Sequence, residues 1–244
     1  MSEKPLGIKA YGSIGHLPGS RRGPGDHGVH EGSARIATLK ARDKHDLVIV
    51  QEKLDGSNVA VARIDGQIMP LGRAGYRAES SRFLQHRMFA KWVWDNLALF
   101  DFLPDNHRLC GEWLAQAHGT RYTLTHAPFV AFDIMTGPQR LSFRDFQSLI
   151  ADRLPTPHLL HIGAPLSIEA AVKLLGDFGF HGAADPVEGA VWRVERKGKV
   201  DFLTKYVRPD KVDGCYLPEI SGKEPVWNWT GDGEVRPPVR AEGD

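Results

Sequence analysis

The hexapeptide Lys53-Leu54-Asp55-Gly56-Ser57-Asn58 carries the residue types of a nucleophilic site. A lysine follows the apolar run Leu47-Val48-Ile49-Val50, which reads as a buried strand, and a turn containing glycine comes next. Burial and nearby cations lower a lysine pKa, giving the neutral amine that attack on phosphorus requires. A surface lysine leading into a hairpin is the other reading of this segment alone. Two further acids stand inside apolar, strand-like stretches: Glu112 in Gly111-Glu112-Trp113-Leu114, and Glu188 in Val187-Glu188-Gly189-Ala190-Val191. A lone charge in such a place is costly without a partner, so both acids call for a polar site around them.

Sheets must position these side chains. After the hexapeptide, Val59 to Ile64 and Gln67 to Met69 flank Asp65-Gly66, the usual sign of a tight hairpin. Residues 81–100 read as a helix, with Phe89, Val93, Leu97 and Phe100 recurring on one face. Strand-like segments return at 108–117 and 129–135. Ser142 opens a capping signal for a helix over 143–153, and Ser167 caps another reaching about residue 178. Val187 to Val194 and Val200 to Val207 read as strands joined by Arg196-Lys197-Gly198-Lys199. Hairpins interspersed with helices predict an α+β fold with a largely antiparallel sheet. The first 35 residues hold eight glycines and read mostly as loop, and the last thirty as an irregular tail.

Composition narrows the classes. The 244 residues, 41% hydrophobic and 25% charged, are those of a globular chain. With 31 Lys+Arg against 30 Asp+Glu there is no general basic coat, so any nucleic-acid contact comes from a local patch. Two cysteines, Cys110 and Cys215, are too few for a disulfide framework. No apolar run approaches the ~20 residues of a membrane span, and no secretory signal opens the chain, which predicts a cytoplasmic protein. Gly23-Pro24-Gly25-Asp26-His27-Gly28 fits a dinucleotide-binding pattern but lacks the strand that must precede it. His16, His27, His30, His118 and His126 lack zinc-site spacing, and no Gly-x-Ser-x-Gly elbow occurs.

Over about residues 47–210 the chain resembles the covalent nucleotidyltransferase superfamily of polynucleotide ligases and mRNA capping enzymes. In that family Lys-x-Asp-Gly, here Lys53 to Gly56, supplies the lysine that forms a lysyl–nucleotide phosphoramidate. Further motifs follow in order. Arg73 in Leu71-Gly72-Arg73 matches the nucleotide-contacting arginine, Glu112 the ribose-holding glutamate, and Phe132 in Phe129-Val130-Ala131-Phe132-Asp133-Ile134 the aromatic stacked on the base. Glu188, with Asp133, matches the acids near the metal. Lys205 in Leu203-Thr204-Lys205-Tyr206 matches the lysine on the α-phosphate. The family's second lysine there is replaced, and Arg208 is the candidate for it. Asn58 stands where RNA ligases often have Asn and DNA ligases and capping enzymes Arg. Glu52 could accept from the exocyclic amine of adenine, whereas guanine offers an oxygen there.

The resemblance therefore implies an ATP-dependent RNA ligase with a nucleotidyltransferase (ATP-grasp-like) fold, joining 5′-phosphate and 3′-hydroxyl ends with ATP and Mg²⁺ or Mn²⁺. A role in RNA repair, with an end-healing or strand-positioning protein partner, fits that activity. Residues 1–46 form a Gly-rich N-terminal segment, 47–210 the catalytic domain and 211–244 a tail. The 36 residues after Arg208 are too few for the oligonucleotide-binding barrel of DNA ligases, so none is expected. Arg193, Arg196, Lys197, Lys199, Lys205, Arg208 and Lys211 form a candidate phosphate track or a solvated hairpin edge. A non-catalytic nucleotide- or RNA-binding module and a minimal DNA ligase are the alternatives.

Overall fold

The computed structural model describes residues 4–150 and 153–231. Its elements are β1 (Gly15–His16), α1 (Glu31–Thr38), β2 (Asp46–Lys53), β3 (Ser57–Ile64), β4 (Gln67–Gly72), α2 (Leu84–Asp95), β5 (Arg108–Trp113), β6 (Phe129–Thr136), β7 (Gln139–Arg140), α3 (Phe143–Ile150), β8 (Leu159–Gly163), α4 (Ile168–Leu175), β9 (Gly189–Arg196), β10 (Lys199–Val207) and α5 (Pro218–Ser221). Two five-stranded sheets result, ordered β1-β10-β9-β2-β8 and β4-β3-β5-β6-β7. Only β1 runs parallel to its neighbour, so the expected α+β, mostly antiparallel architecture is what forms.

Both foreseen hairpins rest on turn chemistry. Asp65 and Gly66 take φ of 50° and 76°, and Lys197 and Gly198 take 50° and 72°. Two successive positive φ values make the turn whose twist suits paired strands. Ser167 accepts the Ala170 N–H at 3.2 Å, and Ser142 that of Asp145 at 3.1 Å, so both predicted caps are made. The helix expected over 81–100 breaks after Asp95 into a 3₁₀ turn at Leu97–Phe100. The cause is Asn96, whose side-chain amide bonds the Trp92 carbonyl at 2.8 Å and diverts it from the helical ladder.

Side-chain alternation gives each sheet one face to pack and one face to use. From the first sheet Val48, Val50, Ala190, Trp192 and Val194 meet α1 and α4. From the second, Val59, Val61, Leu109, Trp113, Phe129 and Ile134 pack with Phe89, Ala90, Trp92 and Val93 of α2, which buries an aromatic cluster. The other faces look toward each other and border a cleft.

The N-terminal segment is part of this core. Ala10 and Tyr11 are buried with Ala60, Leu71 and Cys110. Arg108 Nε donates to the Ala10 carbonyl at 2.6 Å. β1 pairs with β10, and α1, an element the glycine-rich sequence did not reveal, lies over β9 and β10. Strand β8 and the short α5 were likewise not anticipated. They are held by pairing with β2 and by a Pro at the helix start, and neither shows strong periodicity. Residues 208–231 run back over the domain, where Asn228 bonds Tyr122 N–H and the Leu114 carbonyl. The part of the expected tail beyond residue 231 lies outside the described residues.

Candidate active site

The cleft encloses about 810 Å³. Lys53 closes β2 with its side chain on the cleft side, in one row with Gly189 and Val207 of the neighbouring strands. Its Nζ donates to Glu188 Oε2 at 2.7 Å and lies 3.4 Å from the Leu54 carbonyl. Burial alone would push the amine's pKa down, but the carboxylates of Glu188, Glu112 and Asp55 outweigh it and raise the pKa above the usual lysine value. This corrects the expectation of a neutral amine: in the free protein Lys53 is an ammonium held by acids.

The turn after Lys53 is fixed from below. Asp55 Oδ2 accepts from Gly119 N–H at 3.0 Å and Thr120 Oγ1 at 3.2 Å, with Lys211 Nζ at 3.4 Å, and the Asp55 N–H donates to Tyr122 Oη at 3.1 Å. Gly56 donates its N–H to Glu112 Oε1 at 3.1 Å, and a Cβ there would stand 2.5 Å from the Trp113 carbonyl oxygen. Only glycine allows that approach of β3 to β5. Burial, together with the nearby Glu188 charge and against the pull of Lys53, pushes the Glu112 carboxyl up to about 7.

Lys205 borders the cleft two residues before Val207, with Asp26 at 3.8 Å. Burial and the Lys53 charge lower its pKa. Phe132 is half-buried on the opposite wall, its ring edge-on to Tyr11 at 5.1 Å between centroids. Asn58 lies beside Glu112 in register, and its buried Oδ1 has no hydrogen-bond partner among the described residues. Arg73 is exposed on the rim, where its guanidinium reaches the Gly12 carbonyl at 3.4 Å. Lys53, Asp55, Asn58, Arg73, Glu112, Phe132, Glu188 and Lys205 thus border one cleft.

Three further expectations are corrected. Glu52 alternates with Lys53 and points to the α4 side of the sheet, where the Phe180 N–H holds its carboxylate at 3.1 and 3.3 Å. Its side chain has no exposed surface, so no base can reach it, and burial lifts its pKa to about 7. Asp133 is not free to hold a metal. It accepts from Tyr11 Oη at 2.9 Å, Arg140 Nε at 3.0 Å and Arg193 Nη1 at 2.6 Å; Tyr11 and Arg193 are buried and Arg140 is partly buried. Arg208 turns from the cleft to Asp177 at 3.1 Å and to the Gly176 carbonyl, where the end of α4 presents unpaired carbonyls.

The supposed phosphate track does not exist as one face. Arg193 is buried against Asp133 and Glu195, Arg196 pairs with Asp43 and Asp46, and buried Lys211 bonds the Gly119 and Pro186 carbonyls. Sequence reasoning missed Gln51. It stands two residues before Lys53, hence on the same face, and donates Nε2 to the Pro157 carbonyl at 3.1 Å on the cleft wall. The period of two could have found it.

Two facing antiparallel sheets with a lysine at the floor of the cleft, three acids around it and a second lysine on the next strand but one define a nucleotidyltransferase-type domain. The RNA ligase family model matches residues 46–207, and the chain belongs to that family. Among solved structures, an RNA ligase mutant of Naegleria gruberi with ATP and Mn superposes with a TM-score of 0.56 at 20% identity, over 82% of this chain and 60% of that one. A second mutant of that ligase, with AMP and Mn, gives 0.56 at 19% identity over 88% and 64%. A protein of Aquifex aeolicus regarded as an ATP-dependent DNA ligase gives 0.53 at 19% over 81% and 49%. At these identities the likeness is one of fold, and the chain spans less than two thirds of each. No curated protein matches the chain. Among the described residues no helix is long and apolar enough to cross a membrane.

Proposed function

We propose that this chain is the adenylyltransferase domain of an ATP-dependent RNA ligase that joins 5′-phosphate and 3′-hydroxyl ends. The observation that carries the reading is the Lys53–Glu188 pair at the floor of the cleft, 2.7 Å long and surrounded by the other matching motif residues. Lys53 Nζ attacks the α-phosphorus of ATP, the bond to the β-phosphate oxygen breaks, and pyrophosphate leaves. The adenylate then passes to an RNA 5′-phosphate, and a 3′-hydroxyl displaces AMP. Positioning and charge neutralisation do most of the work in such transfers.

Each step needs a residue in place. The proton of Lys53 must go first, and Glu188 Oε2 is the acceptor already in contact with it. Lys205, bordering the cleft two residues before Val207, offsets charge on the α-phosphate. Phe132 stacks on adenine, Gln51 is placed to read its edge, Glu112 holds the ribose, and Arg73 closes the rim. Asn58, with an unpartnered carbonyl oxygen, fits a donor of the bound nucleotide or RNA. No group of three metal-ligating side chains is preassembled among the described residues. Glu188 would instead be the principal holder of a hard cation that keeps its waters, Mg²⁺ or Mn²⁺. When bound, it neutralises the carboxylates and phosphates that meet over Lys53.

Incubation with Mg²⁺ and ATP labelled at the α-phosphate will leave a label on the denatured parent protein and none on Lys53→Ala. No label on the parent, with ATP still bound, would move a binding module to the front. RNA and DNA nicks offered side by side then decide the polymer. The Glu112 carboxyl also predicts a pH effect. A carboxyl with pKa about 7 is mostly protonated at pH 6 and ionised at pH 8, where it accepts ribose hydroxyls better. The KM for ATP will therefore fall between pH 6 and 8, and Glu112→Gln will remove that inflection.

A further inference from the structure

Three of the cations bordering the cleft rest on carboxylates. Lys53 has Glu188 at 2.7 Å, Lys205 has Asp26 at 3.8 Å, and Arg21 is in contact with Asp213. Arg21 belongs to the N-terminal segment, outside the residues 46–207 that the family model matches. That segment follows β10: the Leu17 N–H donates to the Lys205 carbonyl at 2.8 Å and the Arg21 N–H to the Val207 carbonyl at 3.0 Å. Val207, Gly189 and Lys53 form one row across the sheet, so Arg21 is docked at the end of the row that carries the nucleophile. It also sits one pleat beyond Lys205, roughly 7 Å along the strand at about 3.3 Å per residue. Arg21 and Asp213 both border the cleft, and the Asp213 side chain is 55% exposed, free to swing away.

We propose that Arg21 forms the subsite for the β- and γ-phosphates of ATP, and so for the departing pyrophosphate, with Asp213 as its counter-ion in the free protein. This rests on the ligase reading above. As Lys53 Nζ gives its electron pair to the α-phosphorus, the pair of the breaking P–O bond leaves on the β-phosphate oxygen. The planar guanidinium, a two-pronged donor that stays charged, meets that charge. A carboxylate on the cation before ATP arrives stands in for the phosphate it will exchange for. The N-terminal segment thereby completes the triphosphate path that Lys205 begins.

The test separates the step that has pyrophosphate from the one that lacks it. Parent, Arg21→Ala and Arg21→Lys proteins are compared in label transfer from ATP to Lys53 and in sealing of an RNA that already carries a 5′-adenylate. Pyrophosphate-driven loss of AMP from the preformed lysyl-adenylate is followed in parallel. The ratio of label transfer to sealing will fall at least tenfold in Arg21→Ala and less in Arg21→Lys. The pyrophosphate concentration for half-maximal reversal will rise at least tenfold, and Asp213→Asn will lower the KM for ATP. An unchanged ratio, whether both activities fall together or neither falls, overturns the proposal. A parent protein that forms no lysyl-adenylate overturns the ligase reading instead.

Discussion

Replacing Glu188 by glutamine will sharply reduce adenylate transfer to Lys53 while making the Lys53 amine more reactive toward a simple amine-directed reagent. The two effects have one origin. Glu188 is the closest of the acids that hold Lys53 as an ammonium. Without that charge the pKa of Lys53 drops, each unit corresponding to about 1.4 kcal/mol of lost preference for the protonated form. At pH 8 a larger fraction is then neutral, and modification by trinitrobenzenesulfonate, mapped to Lys53 by peptide mass, will speed up. Label transfer from ATP will nonetheless fall by about a hundredfold or more, roughly 2.7 kcal/mol of barrier, because the proposed proton acceptor and metal holder are one residue and are lost together. A Lys53 that reacts no faster in Glu188→Gln would show that the pair does not control the amine.

The largest loss of stability will come from Arg193→Met. Arg193 joins Asp133 of the second sheet at 2.6 Å to Glu195 of the first at 2.7 Å, and all three side chains are buried. Tyr11 and Arg140 complete the shell of Asp133. Removing one member of a buried ion network costs about 3–5 kcal/mol, because the remaining charges are left without compensation. For a domain of this size that lowers Tm by roughly 6–20 °C. Tyr11→Phe, which deletes one of three donors to Asp133, will cost only about 1 kcal/mol. Adding Asp133→Asn to Arg193→Met will recover part of the loss, since the second change removes the orphaned charge. Thermal unfolding of the four proteins checks this. A Tm drop of a degree or two in Arg193→Met would mean that the network does not clamp the sheets.

Much of the site was legible from residue type and spacing. Lys53 to Asn58, Glu112, Phe132, Glu188 and Lys205 border one cleft, supplied by strands of both sheets and the turns beside them. Turn residues such as Asp65-Gly66 and Lys197-Gly198, and caps such as Ser167, act through their own backbone and could be read locally. Alternation was equally available, and it would have put Gln51, not Glu52, on the cleft face with Lys53.

Tertiary structure alone decided which charged groups are spent on holding the fold. Asp133, Arg193, Arg208 and Lys211 look like active-site groups by type and position, yet each bonds a partner far away in the sequence. The state of Lys53 was decided the same way, by acids 135 residues ahead and nearer that overturn the effect of burial. The N-terminal segment owes its place to β10, a strand nearly two hundred residues away, and not to any periodicity of its own. Local propensity follows from side chains and their neighbours in the chain. Charge state and exposure follow from what the folded chain brings within a few ångströms.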